Sequence, residues 1–134
     1  VILIDAGPLV ALMHVDDAHH ERCREALRSL REPMLIVWPA FTEAMYLLGF
    51  SADAQDALWQ MLDTDVLWIA DLTEEDHPRM RHLMRKYQDL PMDLADAALV
   101  RLAERERIRK IFTIDRRDFS VYRPLGLGRF EIVP

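Results

Sequence analysis

The sequence predicts an α/β fold built on an open parallel sheet, and three observations carry this reading. Short continuous apolar runs alternate along the chain with longer amphipathic stretches, the order required by parallel strands joined through helical crossovers. The runs are too short for amphipathic helices and are bounded by Gly, Pro or Asp, as strands buried on both faces are. Two of them, Val1-Ile2-Leu3-Ile4-Asp5 and Ile111-Phe112-Thr113-Ile114-Asp115, run into a carboxylate. Those acids would stand at the carboxyl edge of the sheet, where open parallel sheets bind ligands.

The 134 residues suit one domain, 1–134, large enough to bury a core without staples. With 51% hydrophobic and 30% charged residues, the chain has the balance of a soluble globular protein. The single cysteine, Cys23, excludes an internal disulfide and fits a reducing cytoplasm. No apolar run approaches the roughly 20 residues that span a bilayer, so the expected location is cytoplasmic, with no membrane partner. The net charge of −6 argues against indiscriminate nucleic-acid binding, but it is unevenly spread. Residues 1–78 hold 4 Lys/Arg against 15 Asp/Glu, whereas residues 79–134 hold 13 against 8. A basic half can lie along a phosphate backbone while an acidic half holds cations, although solvated helix faces give the same asymmetry.

Beyond Asp5, Pro8 suits the first turn of a helix whose apolar face is Leu9, Val10, Leu12 and Met13. Asp16-Asp17 offers an N-cap to a helix over roughly 17–30, with Glu21, Arg22, Arg24, Glu25 and Arg28 on a solvated face. Leu35-Ile36-Val37-Trp38 is the second strand, ended by Pro39. Phe41 to Leu48 reads as a helix closed by Gly49, with Glu43 in its first turn and so near the same edge. Residues 52–63 form a helix turning Ala54, Leu58, Met61 and Leu62 inward, and Val66-Leu67-Trp68-Ile69 is the third strand.

Thr73 with Asp76 resembles a capping signal for a helix reaching about Tyr87 and bearing Arg79, Arg81, Arg85 and Lys86. The next helix opens in Pro91-Met92-Asp93-Leu94-Ala95-Asp96 and runs to about Glu106. Asp93 either lies inside it and shares a face with Asp96, or is its N-cap and makes Asp96 the third helical residue. Ile111 to Ile114 is the fourth strand, and Phe130-Glu131-Ile132-Val133 the last, reached through a loop containing Gly126 and Gly128.

Singly, Asp5, Glu43, Asp96 and Asp115 have ordinary explanations as helix caps, dipole-favoured acids or turn formers. Jointly they all fall where a strand ends or a helix begins, and one α/β fold brings them to one rim. Clustered carboxylates repel, and burial raises the cost, so the group needs a cation or shared protons. An all-oxygen site without thiol or suitably spaced His suits Mg²⁺ or Mn²⁺ rather than Zn²⁺. Such centres serve phosphoryl chemistry. Arg116 and Arg117 beside Asp115 are either a grip on a phosphodiester or ordinary surface arginines.

The succession Ile4-Asp5-Ala6-Gly7-Pro8-Leu9, Phe41-Thr42-Glu43-Ala44, Leu94-Ala95-Asp96-Ala97-Ala98 and Phe112-Thr113-Ile114-Asp115-Arg116-Arg117-Asp118-Phe119 resembles the PIN-domain family, in particular the VapC-like ribonuclease toxins. The resemblance covers essentially the whole chain. It implies a three-layer α/β/α sandwich around a parallel sheet, and a divalent-metal endoribonuclease leaving 3′-hydroxyl and 5′-phosphate ends. Asp5, Glu43, Asp96 and Asp115 would be the metal-site carboxylates, with Asp93 a further ligand candidate. It also implies an RNA substrate, a homodimer and a cognate antitoxin covering the active groove. Two departures stand out. Many relatives follow the first Asp with Ser or Thr, whereas Ala6 and Gly7 offer no side-chain donor. The fourth motif holds both Asp115 and Asp118, and Asp115 is preferred because it directly ends the strand.

Thr42, Thr113 and Asp118 are candidates for support behind the site, with capping or strand roles as the alternative for the threonines. His19-His20-Glu21 cannot readily converge on one ion, because adjacent helical residues point roughly 100° apart. Trp38, Tyr46, Trp59 and Trp68 are expected in the core rather than as base-stacking platforms. Cys23 lies near arginines but lacks a base partner, so no nucleophilic role is expected. A catalytically inactive PIN-like RNA-binding or dimeric interaction module is the alternative function. A phosphatase with an Asp nucleophile would want a second carboxylate where Gly7 stands.

Overall fold

In the computed structural model, which describes residues 1–134, the apolar runs form five strands: β1 (Ile2–Ile4), β2 (Met34–Val37), β3 (Leu67–Ala70), β4 (Lys110–Phe112) and β5 (Glu131–Val133). Helices α1 (Ala6–Met13) and α2 (His20–Ser29) join β1 to β2, and α3 (Trp38–Leu47) and α4 (Ala52–Asp63) join β2 to β3. A 3-10 turn over Glu74–Asp76, then α5 (His77–Lys86) and α6 (Leu94–Glu106), leads to β4, and α7 (Arg116–Val121) precedes β5.

The strand order is β3-β2-β1-β4-β5, with every pair parallel. The chain moves outward from β1 to β3, then crosses back to the far side of β1. Crossovers in these two opposite directions place helices on both faces of the sheet, which makes the three-layer sandwich. The direction reverses between β1 and β4, and the crevice above their carboxyl ends is the place such a sheet offers a ligand.

Hydrophobic burial explains this order. Ile2, Leu3 and Ile4 are fully buried, as a central strand covered on both faces requires. Helix α6 is buried from Ala95 to Val100, because its alanines let it lie close to its neighbours. It packs against α5, β2 and α3, and the α3 contact brings Glu43 toward the start of α6.

Three boundary differences change the role of a named residue. Pro39 is the second residue of α3 rather than the stop of a strand; the helix starts at Trp38, so Glu43 lies in its second turn. Asp17 closes a turn instead of capping α2: its carboxylate accepts from the His19 N–H, and the helix begins at His20. Strand β4 stops at Phe112, so Asp115 is the N-cap of α7 and not the last residue of a strand.

The four aromatics expected in the core are exposed: Trp38 47%, Tyr46 82%, Trp59 47% and Trp68 53%. Trp68 lies on the edge strand β3, where Leu67 takes the buried side of the alternation. Cys23 is buried, and burial pushes its thiol up, away from the reactive thiolate. No helix is long and apolar enough to cross a membrane.

Behind the rim, two carboxylates clasp α5 to α6. Asp76, 1% exposed, accepts from the Thr73 N–H, Arg101 Nε and Arg105 Nη1, each at 2.8 Å. Glu104 accepts from Arg79 Nε at 2.8 Å and Nη2 at 2.7 Å, and from the Leu125 N–H at 2.8 Å. The capping signal at Thr73 is real, and the same carboxylate also anchors two arginines of α6.

Candidate metal centre

Three of the predicted acids are helix N-caps. Asp5 Oδ1 accepts from the Ala6 N–H at 2.8 Å, Asp93 Oδ1 from the Asp96 N–H at 2.8 Å, and Asp115 Oδ1 from the Asp118 N–H at 3.1 Å. A cap spends one carboxylate oxygen on the helix and leaves the second for another partner, so capping and ligation are compatible in one residue. The module of an Asp N-cap with Asp as third helical residue occurs twice, at Asp93/Asp96 and Asp115/Asp118.

One cleft of about 250 Å³ is lined by Asp5, Glu43, Asp93, Asp96, Asp115 and Asp118. Carboxylate oxygens of Asp96, Asp115 and Asp118 lie within 4.8 Å of one another. Asp115 and Asp118 both reach the cleft, because α7 starts immediately after Asp115 and its first turn carries Asp118 to the same place. The spacing shared with Asp93 and Asp96 was the signal for it.

Thr113 stands behind the acids. Its hydroxyl donates to Asp5 Oδ2 at 3.1 Å, and its oxygen accepts from the Asp115 N–H at 3.0 Å, which links the ends of β1 and β4. Thr42 does not join it. It is exposed in a neighbouring groove and makes no side-chain hydrogen bond, since it points roughly 100° away from Glu43 on the helix. The missing side chain at Gly7 also has a reason: a Cβ there would come within 2.8 Å of Ile114 Cγ1, so an aliphatic group fills the space.

Arg116 and Arg117 are exposed in the first turn of α7. Arg116 donates to the Pro134 backbone oxygen, which leaves Arg117 as the unengaged one of the pair.

Tyr122 was not singled out from the sequence. It is fully buried, 26 residues from Asp96, and its hydroxyl donates to Asp96 Oδ2 at 2.7 Å. Nothing local in Tyr122 marks it, since its partner arrives through the packing of α7 against the sheet.

Electrostatics follow from burial. Asp96 is pushed up to about 8, chiefly by burial, with Asp93, Asp5 and Asp115 adding repulsion against the Tyr122 hydrogen bond. Asp5 is pushed up to about 6, again chiefly by burial, and its hydrogen bonds from Ala6 and Thr113 oppose the rise. Glu43, at the mouth, is raised by partial loss of water and by Asp93, and Asp118 by burial and by Asp115. The Tyr122 hydroxyl is pushed up by burial and by Asp96, so it stays a donor. The centre holds more negative charge than it can stabilise alone.

Tyr122→Phe keeps the buried ring and removes only the donor. Removal of such an outer hydrogen bond typically costs 10–100-fold in metal affinity. The expected result is Mn²⁺ binding weakened by roughly tenfold, with unchanged secondary structure by circular dichroism; unchanged Mn²⁺ affinity would show that Tyr122 does not orient Asp96.

The family model for the PIN domain matches residues 2–123. The chain is 32% identical over 135 residues to Ribonuclease VapC26 of Mycobacterium tuberculosis, an alignment covering 99% of this chain and 100% of the relative. Among solved structures it resembles Mycobacterium tuberculosis VapC20, described as a sarcin–ricin loop cleaving toxin, with a TM-score of 0.79 at 15% identity, covering 87% of this chain and 92% of that one. It also resembles a toxin–antitoxin complex from Klebsiella pneumoniae, with a TM-score of 0.72 at 17% identity, covering 100% and 97%.

Proposed function

The chain belongs to the PIN-domain family, and on that footing we propose that it is a divalent-metal-dependent endoribonuclease, the toxin of a type II toxin–antitoxin pair. The observation that carries this reading is the convergence of six carboxylates on one cleft at the β1/β4 switch point, in a chain similar along its whole length to a VapC ribonuclease.

The donor set fits a hard divalent cation. It offers oxygen ligands only, and the cleft lining includes no Lys, Arg or His to balance the acids. Asp96, Asp115 and Asp118 would hold the ion, with Asp5, Asp93 and Glu43 completing the acidic shell. Bound Mg²⁺ or Mn²⁺ supplies a water of lowered pKa and polarises the phosphoryl oxygens of RNA.

The remaining work belongs to the chain itself. The Ala6 N–H and Thr113 hydroxyl lock Asp5, Tyr122 locks Asp96, and the caps lock Asp93 and Asp115. This array is ordered before substrate arrives, so little reorganisation remains for the reaction. Glu43, exposed at the mouth and raised above its ordinary range, is placed to take a proton from the attacking water. Arg117 is placed to meet a phosphodiester oxygen at the rim. The products are 3′-hydroxyl and 5′-phosphate ends.

An antitoxin and a second copy of the chain are the proposed protein partners. Tyr46, Leu47 and Phe50 at the end of α3 are exposed and provide apolar surface of the kind partners cover. The likeness to VapBC2 from Rickettsia felis bound to a DNA fragment from their promoter, at a TM-score of 0.68 and 14% identity, supports a place in such a system. An inactive module has no reason to retain so much repulsion at one rim.

The test is cleavage of a mixed pool of structured RNAs by antitoxin-free protein. Cutting is expected with Mg²⁺ or Mn²⁺ and is lost in chelator. Cutting that survives chelator removes the metal from the reaction, and no cutting and no metal binding would favour the interaction module.

A further inference from the structure

Carboxylates repel phosphodiesters, so an acidic cleft in a chain of net charge −6 needs a phosphate grip beyond its own walls. Many of the basic side chains are already committed. Arg79 pairs with Glu104, Arg101 and Arg105 with Asp76, Arg24 with Glu21, Arg28 with Glu25, and Lys110 with Glu32. Arg81 and Arg85 differ. They lie one turn apart on the exposed side of α5, and their side chains make no ion pair or hydrogen bond. With His77, Pro78 and His82 they line a depression of about 570 Å³ that contains no acid.

Shared lining residues run from this depression to the acidic cleft. His77, Arg81 and Arg85 also wall a second hollow together with Met80, Met84 and Leu94. Leu94 in turn lines a groove with Trp38, Glu43 and Asp93, and those last two acids line the cleft itself. Trp38 stands beside this groove, 47% exposed, its ring held edge-on by the buried Phe41 at a centroid distance of 5.7 Å. Such a ring offers a face to a nucleobase.

We propose that single-stranded RNA leaves the acidic cleft over Trp38 and Leu94 and is held through its phosphates by Arg81 and Arg85 on α5. The proposal rests on the ribonuclease reading and adds where the substrate binds outside the reacting centre. Arg81 and Arg85 supply affinity without base specificity, and Trp38 supplies stacking.

The experiment measures binding of an unstructured RNA of about 16 nucleotides, and of one of about 4, to full-length protein in chelator, where nothing is cut. For the double substitution Arg81→Glu with Arg85→Glu, the slope of log K against log salt is expected to fall by about 1.4, two phosphate contacts at about 0.7 each. The milder Arg81→Gln with Arg85→Gln is expected to shift the slope in the same direction. The difference from wild type should collapse on the shorter RNA. Trp38→Ala is expected to weaken binding roughly tenfold with its salt slope retained, and reversal of Arg24 and Arg28 on α2 should leave the slope unchanged.

Equal slopes for wild type and both Arg81/Arg85 variants would overturn the path. So would a change of oligomeric state by sedimentation without a change of slope, since the face would then be a contact between copies. Wild-type protein that cuts RNA with metal but shows no binding in chelator overturns the path alone. Wild-type protein that neither cuts nor binds RNA overturns the ribonuclease reading together with it.

Discussion

Asp96→Asn is expected to lower RNA cleavage by more than roughly 100-fold, beyond the loss typical of outer hydrogen bonds to a metal site, and to make the metal-free protein more stable. The two effects have one cause. Asp96 is buried among Asp93, Asp5 and Asp115, and its carboxyl is pushed from 3.8 up to about 8. A carboxyl with a raised folded pKa binds its proton more tightly in the folded chain than in the unfolded one. Its contribution to stability is therefore complete below the unfolded value of 3.8 and is lost as pH rises through about 8. Asp5, pushed up to about 6, adds to the decline over the lower part of that window.

Chelated wild type should thus lose on the order of 5 kcal/mol between about pH 5 and 8 through these two groups. Asn at 96 keeps an oxygen for the Tyr122 hydroxyl and removes the charge, so the decline should flatten. Denaturant unfolding at the two pH values, wild type beside variant, reads the difference. Mg²⁺ or Mn²⁺ added at the higher pH should restore wild-type stability and leave the variant nearly unmoved, because only the intact centre gains binding free energy on folding. A variant that unfolds, or that keeps the wild-type pH dependence, would show that Asp96 is a structural residue.

Asp76→Ala is expected to cost about 3–5 kcal/mol of stability, the range for breaking one partner out of a buried ion pair. Burial alone would raise the Asp76 carboxyl, but the Thr73 N–H, Arg101 and Arg105 outweigh it and hold the group below its ordinary range. The stability it contributes is present above the ordinary carboxylate pKa and is lost as pH falls through the lowered one. Removal leaves Arg101 Nε and the Thr73 N–H without their acceptor, and Arg105 with only the Asp71 carbonyl and the Glu106 carboxylate. The measurement is the unfolding free energy at neutral pH, with cleavage assayed at a temperature where the variant stays folded. A loss below about 1 kcal/mol would place this cluster with surface pairs. Metal affinity should change little, because Asp76 is not part of the acidic cleft.

Much of the site was legible one helix at a time. Asp93 as cap with Asp96 as third residue was one of two placements the spacing allowed, and the structure takes it. The helix over 52–63 was readable from its apolar period. Pro39 misled because it is compatible with both a strand's end and a helix's first turn, and local sequence does not choose between them. The exposed tryptophans misled because apolar character reports what could be buried. On an edge strand such as β3, only one side of the alternation finds a partner layer.

By itself, then, the sequence determined the alternation of strands and helices, the double-sided burial of β1, and the delivery of carboxylates to the junctions between strands and helices, all of which follow from hydrophobic period and capping chemistry. Tertiary structure alone decided that β4 lies against β1, so that Thr113 reaches Asp5 across 108 residues and Tyr122 reaches Asp96 across 26. The same packing made Asp118 a neighbour of Asp96 and left Thr42 aside. The physical reason is that strand order and layer packing minimise exposed apolar surface over the whole chain at once, and contacts between distant residues exist only after that global choice is made.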